Sequence, residues 1–387
     1  MLHFNRCKEE EQRCNKKLRN VVQIKLNHRF TSFSERVGEC CMMLLLRHAL
    51  SVVMTVLVLA TGAKHASICH ASAVENLGGG QTAIPEVAMF RDATEVLFAV
   101  AERRRVSDPG APWVPRRHFV KDADEAHRIA FEGPNPIVGM SLDDLIECSR
   151  TSHPNAGQLV AFSGVHRGFL HLMATPEIKS VADLKGKRIA VDTDTGYANA
   201  LFEILRRNGL KRGSDFEVVY AGATNLRYEK LLRGEFDATL LGAPFTRLAM
   251  RQGYNSLGTV IDALGGYQAV VLVASRAWLA QNKEMASAVA SCLIETFKWA
   301  SLPENHEKVE VYVGEILGGL GGPAAKQVTQ DLFGPASEFL PNGRMRDGDT
   351  LVVIDLFNAS RGATITQDTV SKLTDVGAKM GQPSKPD

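Results

Sequence analysis

Cysteine is scarce and poorly placed for a scaffold. Of 7 in 387 residues, five (Cys7, Cys14, Cys40, Cys41 and Cys69) precede residue 74, leaving only Cys148 and Cys292. Two thiols so far apart, with no C-x-x-C spacing and no neighbouring histidine cluster, exclude a disulfide-dense fold and a structural zinc site. Two buried free thiols are expected; a bridge between them has no support. Basic surface is also wanting. Residues 1–73 hold 11 of the 45 Lys+Arg and 5 of the 43 Asp+Glu, so the remainder carries 34 basic and 38 acidic groups. A slightly acidic body without a continuous basic face argues against a nucleic-acid partner, and Arg103, Arg104 and Arg105 read as the solvated end of a helix. There is no G-x-S-x-G elbow, and neither remaining cysteine has an activating motif beside it, so nucleophilic catalysis has no footing.

What is present begins with an export pattern. Met42 to Ala73 has a basic flank at Arg47 and His48, an uncharged run from Ala49 to Ala63, and small residues ending in Ala71-Ser72-Ala73. The run is shorter than the roughly 20 apolar residues a membrane span needs, and the Ala-x-Ala ending suits signal peptidase. The competing readings are an uncleaved anchor and a lipid on Cys69, which lacks the usual small residue before the cysteine. Residues 1–41 are out of place ahead of such a signal, and the expectation is that translation begins at Met42 or Met43. With residues 1–73 set aside, Val74 to Thr82 reads as a flexible leader.

From Pro85 the chain alternates short apolar strands with helices of 10 to 15 residues. Strands are expected at Pro85–Phe90, His118–Val120, Ile137–Met140, Leu159–Phe162 and Phe169–Ala174, and helices at Ala93–Arg105 and Ala123–Phe131. Such alternation implies right-handed βαβ units on a parallel sheet. A second unit repeats the pattern: strands at Lys187–Val191, Phe216–Tyr220 and Ala238–Leu241, with helices after Tyr197, over Asn225–Arg233 and after Pro244. Tyr267–Ala274 returns as a strand, Lys283–Ala300 is a long helix, and the rest to about Thr374 reads as helical. Lys379 to Asp387 is a polar tail, expected to be disordered.

The stretch around which these units are organised runs from Ile178 to Tyr197. Ser180 with Asp183 three residues on has the form of a capping box. After the strand, Asp192, Thr193, Asp194, Thr195 and Gly196 lie at the carboxyl end of one element and the amino end of the next, where open α/β sheets bind small ligands. Asp192 reads either as a helix cap or as a group facing that site.

Three segments together carry a family resemblance: SVADLKGKRIAVD from Ser180, YEKLLRGEFDATLLGAPF from Tyr228, and YQAVVLVASRAWL from Tyr267. The chain resembles the substrate-binding proteins of ABC importers, in the periplasmic type II class that includes binders of aliphatic sulfonates, taurine, nitrate and thiamine precursors. The resemblance implies a periplasmic binding protein-like II fold: two α/β lobes joined by two crossover strands, closing on a ligand in the cleft between them. Lobe 1 is then discontinuous, over 74–175 and 269–387, and lobe 2 spans 176–268. Ligand contacts are expected from loops after strands: Phe90, Arg91 and Asp92; Ser141; Ser163; Asp194, Thr195, Gly196 and Tyr197; Gly242, Pro244 and Phe245. The implied partners are a small molecule and an ABC permease at the inner membrane, for a monomeric periplasmic protein with no metal, cofactor or catalytic residues. Paired aspartates in the inner-lobe turn depart from the pattern of anion binders and repel an anion unless Arg91 or another cation compensates, which puts a cationic, amine-bearing or heterocyclic ligand, stacked on Phe90, Tyr197 or Phe245, on at least an equal footing with a sulfonate.

Two readings of other classes compete. Asp192-Thr193-Asp194-Thr195 fits the D-x-D-x-T of haloacid-dehalogenase-type phosphatases, in which the first Asp is nucleophile and the second general acid. A ligand-sensing lobe of a signalling system is the other.

Overall fold

The computed structural model describes residues 85–133 and 137–380; the export pattern, the leader and the end of the polar tail lie outside them. Among the described residues the chain runs β1 (Glu86–Met89), α1 (Ala93–Ser107), β2 (Arg116–Phe119), α2 (Ala123–Glu132), β3 (Ile137–Ser141), α3 (Leu142–Arg150), β4 (Leu159–His166) and β5 (His171–Ala174). It continues through β6 (Arg188–Val191), α4 (Tyr197–Arg207), β7 (Glu217–Tyr220), α5 (Thr224–Leu232), β8 (Ala238–Leu241), α6 (Phe245–Arg251), β9 (Asn255–Thr259) and α7 (Val260–Leu264). It ends with β10 (Val270–Ser275), α8 (Arg276–Gln281), α9 (Lys283–Ala300), α10 (His306–Ile316), α11 (Gly322–Phe333), α12 (Asp347–Arg361) and α13 (Gln367–Met380).

The strands form two sheets, ordered β2-β1-β3-β10-β4 and β7-β6-β8-β5-β9. Each is mixed rather than wholly parallel. β10 runs antiparallel to β3 and β4, and β5 antiparallel to β8 and β9. The reason is the path of the chain: β5 and β10 each follow a passage from the other sheet, so they enter from the cleft end where the other strands finish. The chain therefore has two α/β lobes joined by two crossovers. The first crossover turns at Gly168 (φ 122) and at Phe169, which has φ 53 despite its side chain. Glu338 accepts the Phe169 N–H at 2.6 Å, and the Phe169 ring packs edge-on to Phe339, 5.1 Å between centroids.

Local chemistry accounts for most of the elements. Ser180 and Asp183 form the expected capping box. On α9 the residues Ala286, Val289, Cys292, Leu293, Thr296 and Ala300 are buried on one face, the spacing of an amphipathic helix. Cys148 and Cys292 are buried free thiols, and burial pushes the Cys292 thiol up to about 12. Arg104 is not simply solvated: it ion-pairs with Asp108 at 3.4 Å and lies over the Trp299 ring. Two parts of the chain, besides the short α8, are not announced by its pattern. One is α3, whose LDDLIECSR places two carboxylates in a first turn that is buried; the other is β9 with α7. A continuous apolar cluster runs from Val138 and Leu145 of lobe 1 through Ile189 and Leu201 of lobe 2 to Val353 and Phe357 of α12. Helix α12 thus packs on both lobes, against α3 and α4.

Candidate functional site

A small cavity of about 30 Å³ lies where strand ends of both lobes converge; that is room for one or two waters. Lobe 1 contributes Phe90 and Asp92 after β1, Ser141 at the end of β3 and Asp144 in the first turn of α3. Lobe 2 contributes Asp192 after β6, Tyr197 at the start of α4, Thr224 and Arg227 in the first turn of α5, and Gly242 after β8, with Gly168 of the first crossover completing the wall.

On the lobe 1 side, two of the acidic groups begin helices. Asp92 caps α1, Oδ1 accepting the Thr94 N–H at 2.8 Å. Its other oxygen lies 3.6 Å from Nε2 of His166, whose Nδ1 accepts the Gly168 N–H. Ser141 caps α3, its Oγ accepting from the Asp144 N–H and donating to Asp144 Oδ2 at 2.7 Å. Oδ1 of Asp144 lies 3.2 Å from His127 Nε2. Burial works against both charges, and the pairing outweighs it: His127 is raised and Asp144 lowered, so the two stand as an ion pair. Beside them Asp143 is fully buried, Oδ2 accepting from Tyr267 Oη at 2.6 Å and Oδ1 from Asn199 of lobe 2 at 3.1 Å. Burial pushes its carboxyl up to about 7 in spite of those hydrogen bonds.

On the lobe 2 side, Arg227 is 3% exposed. It donates to the carbonyls of Gly222 at 2.6 Å and Leu240 at 3.3 Å, and faces Asp192 Oδ1 at 3.7 Å. Burial raises Asp192 to about 6, the Arg227 charge acting in the opposite direction and that of Asp144 in the same one. The phenol of Tyr197 is raised well above its usual value by burial and by the surrounding aspartates. Its ring meets that of Tyr267 edge-on, 6.0 Å between centroids.

The lobes touch at the turn before α4. Gly196 has φ 58 and ψ −129, and a Cβ there would stand 2.8 Å from Asp144 Oδ2 and 3.2 Å from Ser141 Oγ. Only glycine combines that backbone with that approach. Thr195 pairs its hydroxyl with Thr193 at 2.9 Å and also reaches Asp144.

Of the residues singled out from the sequence, Phe90, Asp92, Ser141, Tyr197 and Gly242 line this one cavity, and Thr195 and Gly196 form its rim against Asp144. The others lie elsewhere. Arg91 is stacked on Phe119 at 3.9 Å and paired with Glu95. Ser163 is buried, donating to the Gly164 carbonyl. Pro244 follows a cis peptide, and Phe245 stacks near Tyr228 at 5.3 Å. Asp192 and Asp194 diverge: Asp194 turns away to Arg212 at 2.6 Å and Tyr220 Oη at 2.9 Å. A D-x-D-x-T centre needs both carboxylates at one reacting atom, and here they serve different neighbours. Nor does Asp192 cap α4, since Gly196 occupies that place without a side-chain cap. Among the described residues no group of three His, Cys, Asp or Glu is placed to hold a metal ion.

Asp143, Asp144, Arg227 and His127 were not legible as site residues. The first two sit in α3, for which the sequence pattern gives no signal, and Arg227 lies in the expected helix Asn225–Arg233, where nothing in TNLRYEKLL marks it as buried.

Residues 160–302 match the protein-family model described as NMT1/THI5 like. No curated protein matches the chain at a significant level. Among solved structures, a protein from Bordetella bronchiseptica RB50 is similar over 76% of this chain and 96% of its own, at 17% identity and a TM-score of 0.59. The alkanesulfonate-binding protein SsuA from Xanthomonas axonopodis pv. citri, bound to MOPS, covers 73% and 95% at 16% identity and a TM-score of 0.56. The periplasmic nitrate-binding protein NrtA from Synechocystis PCC 6803 covers 76% and 87% at 11% identity and a TM-score of 0.58. At such identities the likeness is one of fold, and the fold of this chain is that of the type II periplasmic binding proteins.

Proposed function

We propose that this chain is an extracytoplasmic solute-binding protein that captures a small organic molecule between its lobes and delivers it to an ABC permease at the inner membrane. One observation carries the reading: the cavity is walled by both lobes, with Asp92, Ser141 and Asp144 facing Asp192, Tyr197 and Arg227. A ligand that touches both walls binds the closed arrangement better than the open one and shifts the equilibrium by that difference. The closed form then signals occupancy to the permease. No bond is made or broken in this role. Export by the segment 42–73 and action as a monomer in the periplasm complete the reading.

The test is a thermal-shift screen over sulfonates, amines, pyrimidines and flavins, followed by small-angle X-ray scattering on any hit. A ligand at 100 times its dissociation constant stabilises by about 2.7 kcal/mol and is expected to contract the protein. A panel without a single stabilising compound, or a hit that leaves the scattering curve unchanged, counts against the reading.

A further inference from the structure

The lobes are joined by side chains as well as by the crossovers. Beyond the small cavity, a groove of about 530 Å³ runs between lobe 2, which supplies His171, Thr246 and Met250, and lobe 1, which supplies Gln327 and Glu338. Across it Arg247 of α6 reaches Asp331 of α11, donating from Nε to Oδ2 and from Nη2 to Oδ1, each at 2.8 Å. Two parallel charge-assisted bonds fix the orientation of the two groups as well as their distance. Both side chains are 29% exposed, and an ion pair so placed matters where its geometry is bidentate and its bearers are held rigidly. Both conditions are met here. Ala249 of α6 is buried in the lobe 2 cluster with Phe236 and Leu241, and Leu332 and Phe333, next to Asp331, are buried in the lobe 1 cluster with Leu272 and Phe339. A pull on the pair is therefore a pull on both cores.

We propose that Arg247 and Asp331 form a latch between the lobes, which must break whenever the cleft opens and which sets how often it does so. They are positioning residues, for neither lines the small cavity. A second contact, on the far side of the cleft, reports the same motion. The N–H of Ala223, after the edge strand β7, donates at 2.7 Å to the carbonyl of Lys121, after the edge strand β2. Helix α6 packs instead on β5 and β9, at the opposite edge of the lobe 2 sheet. Ala223 is 1% exposed, and its amide, whose acceptor belongs to the other lobe, meets solvent when the lobes part. The latch goes beyond the solute-binding reading: it acts on the lobes whatever is captured between them, and its failure leaves that reading in place.

Hydrogen exchange of the purified chain, resolved to single amides, reads the opening with no solute added. Arg247→Ala and Asp331→Ala are each expected to speed exchange at Ala223 by at least about fivefold, with the amides of β6 and β8 unchanged. The double variant should be no faster than either single one, since the pair is lost only once. Arg247→Lys, which keeps the charge but not the fork, should fall between the parent and Arg247→Ala. Should one single variant fold poorly, the other, in the opposite lobe, carries the test. Unchanged exchange at Ala223 overturns the latch. So does an acceleration shared by β6 and β8, which marks a loosened lobe and not an opened cleft, and so does a double variant whose effect is the product of the two single ones.

Discussion

Asp349 holds the two crossovers together, and its replacement gives a sharp measure of how the lobes are joined. Arg167, just past β4, donates from Nε at 2.6 Å and from Nη2 at 2.8 Å to the two Asp349 oxygens. The N–H of Tyr267, on the way to β10, donates to Oδ1 at 3.2 Å. The two side chains are 15% and 6% exposed, so this ion pair is removed from most of its solvent screening. Asp349→Ala leaves a guanidinium in that setting without its partner and a buried N–H without an acceptor. Breaking a buried pair from one side costs about 3–5 kcal/mol. At about 2–4 °C per kcal/mol for domains of 150–250 residues, the melting temperature falls on the order of 10 °C. Urea denaturation and thermal melts followed by circular dichroism read both numbers. The double variant Arg167→Met/Asp349→Leu, which removes both charges, should regain most of the loss. A cost below about 1 kcal/mol for Asp349→Ala, the usual worth of an exposed pair, would refute the argument that this contact clamps the crossovers.

Three further predictions concern the cavity. Gly196→Ala forces a Cβ to within 2.8 Å of Asp144 Oδ2, so the lobes should be kept from closing; small-angle scattering should show that a ligand that contracts the parent no longer contracts the variant, and equal contraction rejects the close approach. Asp143→Asn tests pH dependence. The Asp143 carboxyl is raised to about 7 by burial, so between about pH 4, where the unfolded chain gives up that proton, and pH 7 the folded state binds the extra proton and stability falls as pH rises. Asp192, raised to about 6, acts with the same sign in parent and variant alike, so Asp143→Asn should flatten the decline and not abolish it; equal slopes across that window reject the assignment. Tyr197→Ala should weaken ligand binding at least tenfold without unfolding the protein, as read by calorimetry alongside circular dichroism, and unchanged affinity removes this residue from the site.

How much of this was legible in the sequence depended on how local the cause was. The order of strands and helices is written in side-chain periodicity, which acts over one or two turns, and so Ala238–Leu241 and Lys283–Ala300 match the elements formed. The capping box at Ser180 and the placement of Phe90 and Ser141 at strand ends and of Asp92 and Tyr197 at helix starts were equally local. The direction of β5 and β10 was not, because it depends on where the chain has come from and not on what it is made of. Pairing partners were the least accessible. Asp192 and Asp194 stand two residues apart and look equivalent in the chain, yet Arg227 and Arg212, from different parts of lobe 2, draw them to different places. Asp143, Asp144 and Arg227 carry charges that nothing in the local pattern marks as buried. Only the tertiary structure, by bringing Tyr267, Asn199 and His127 to them and closing the opposite lobe over them, decided that they are buried, because the free energy that keeps a charge inside comes from partners distant in the chain.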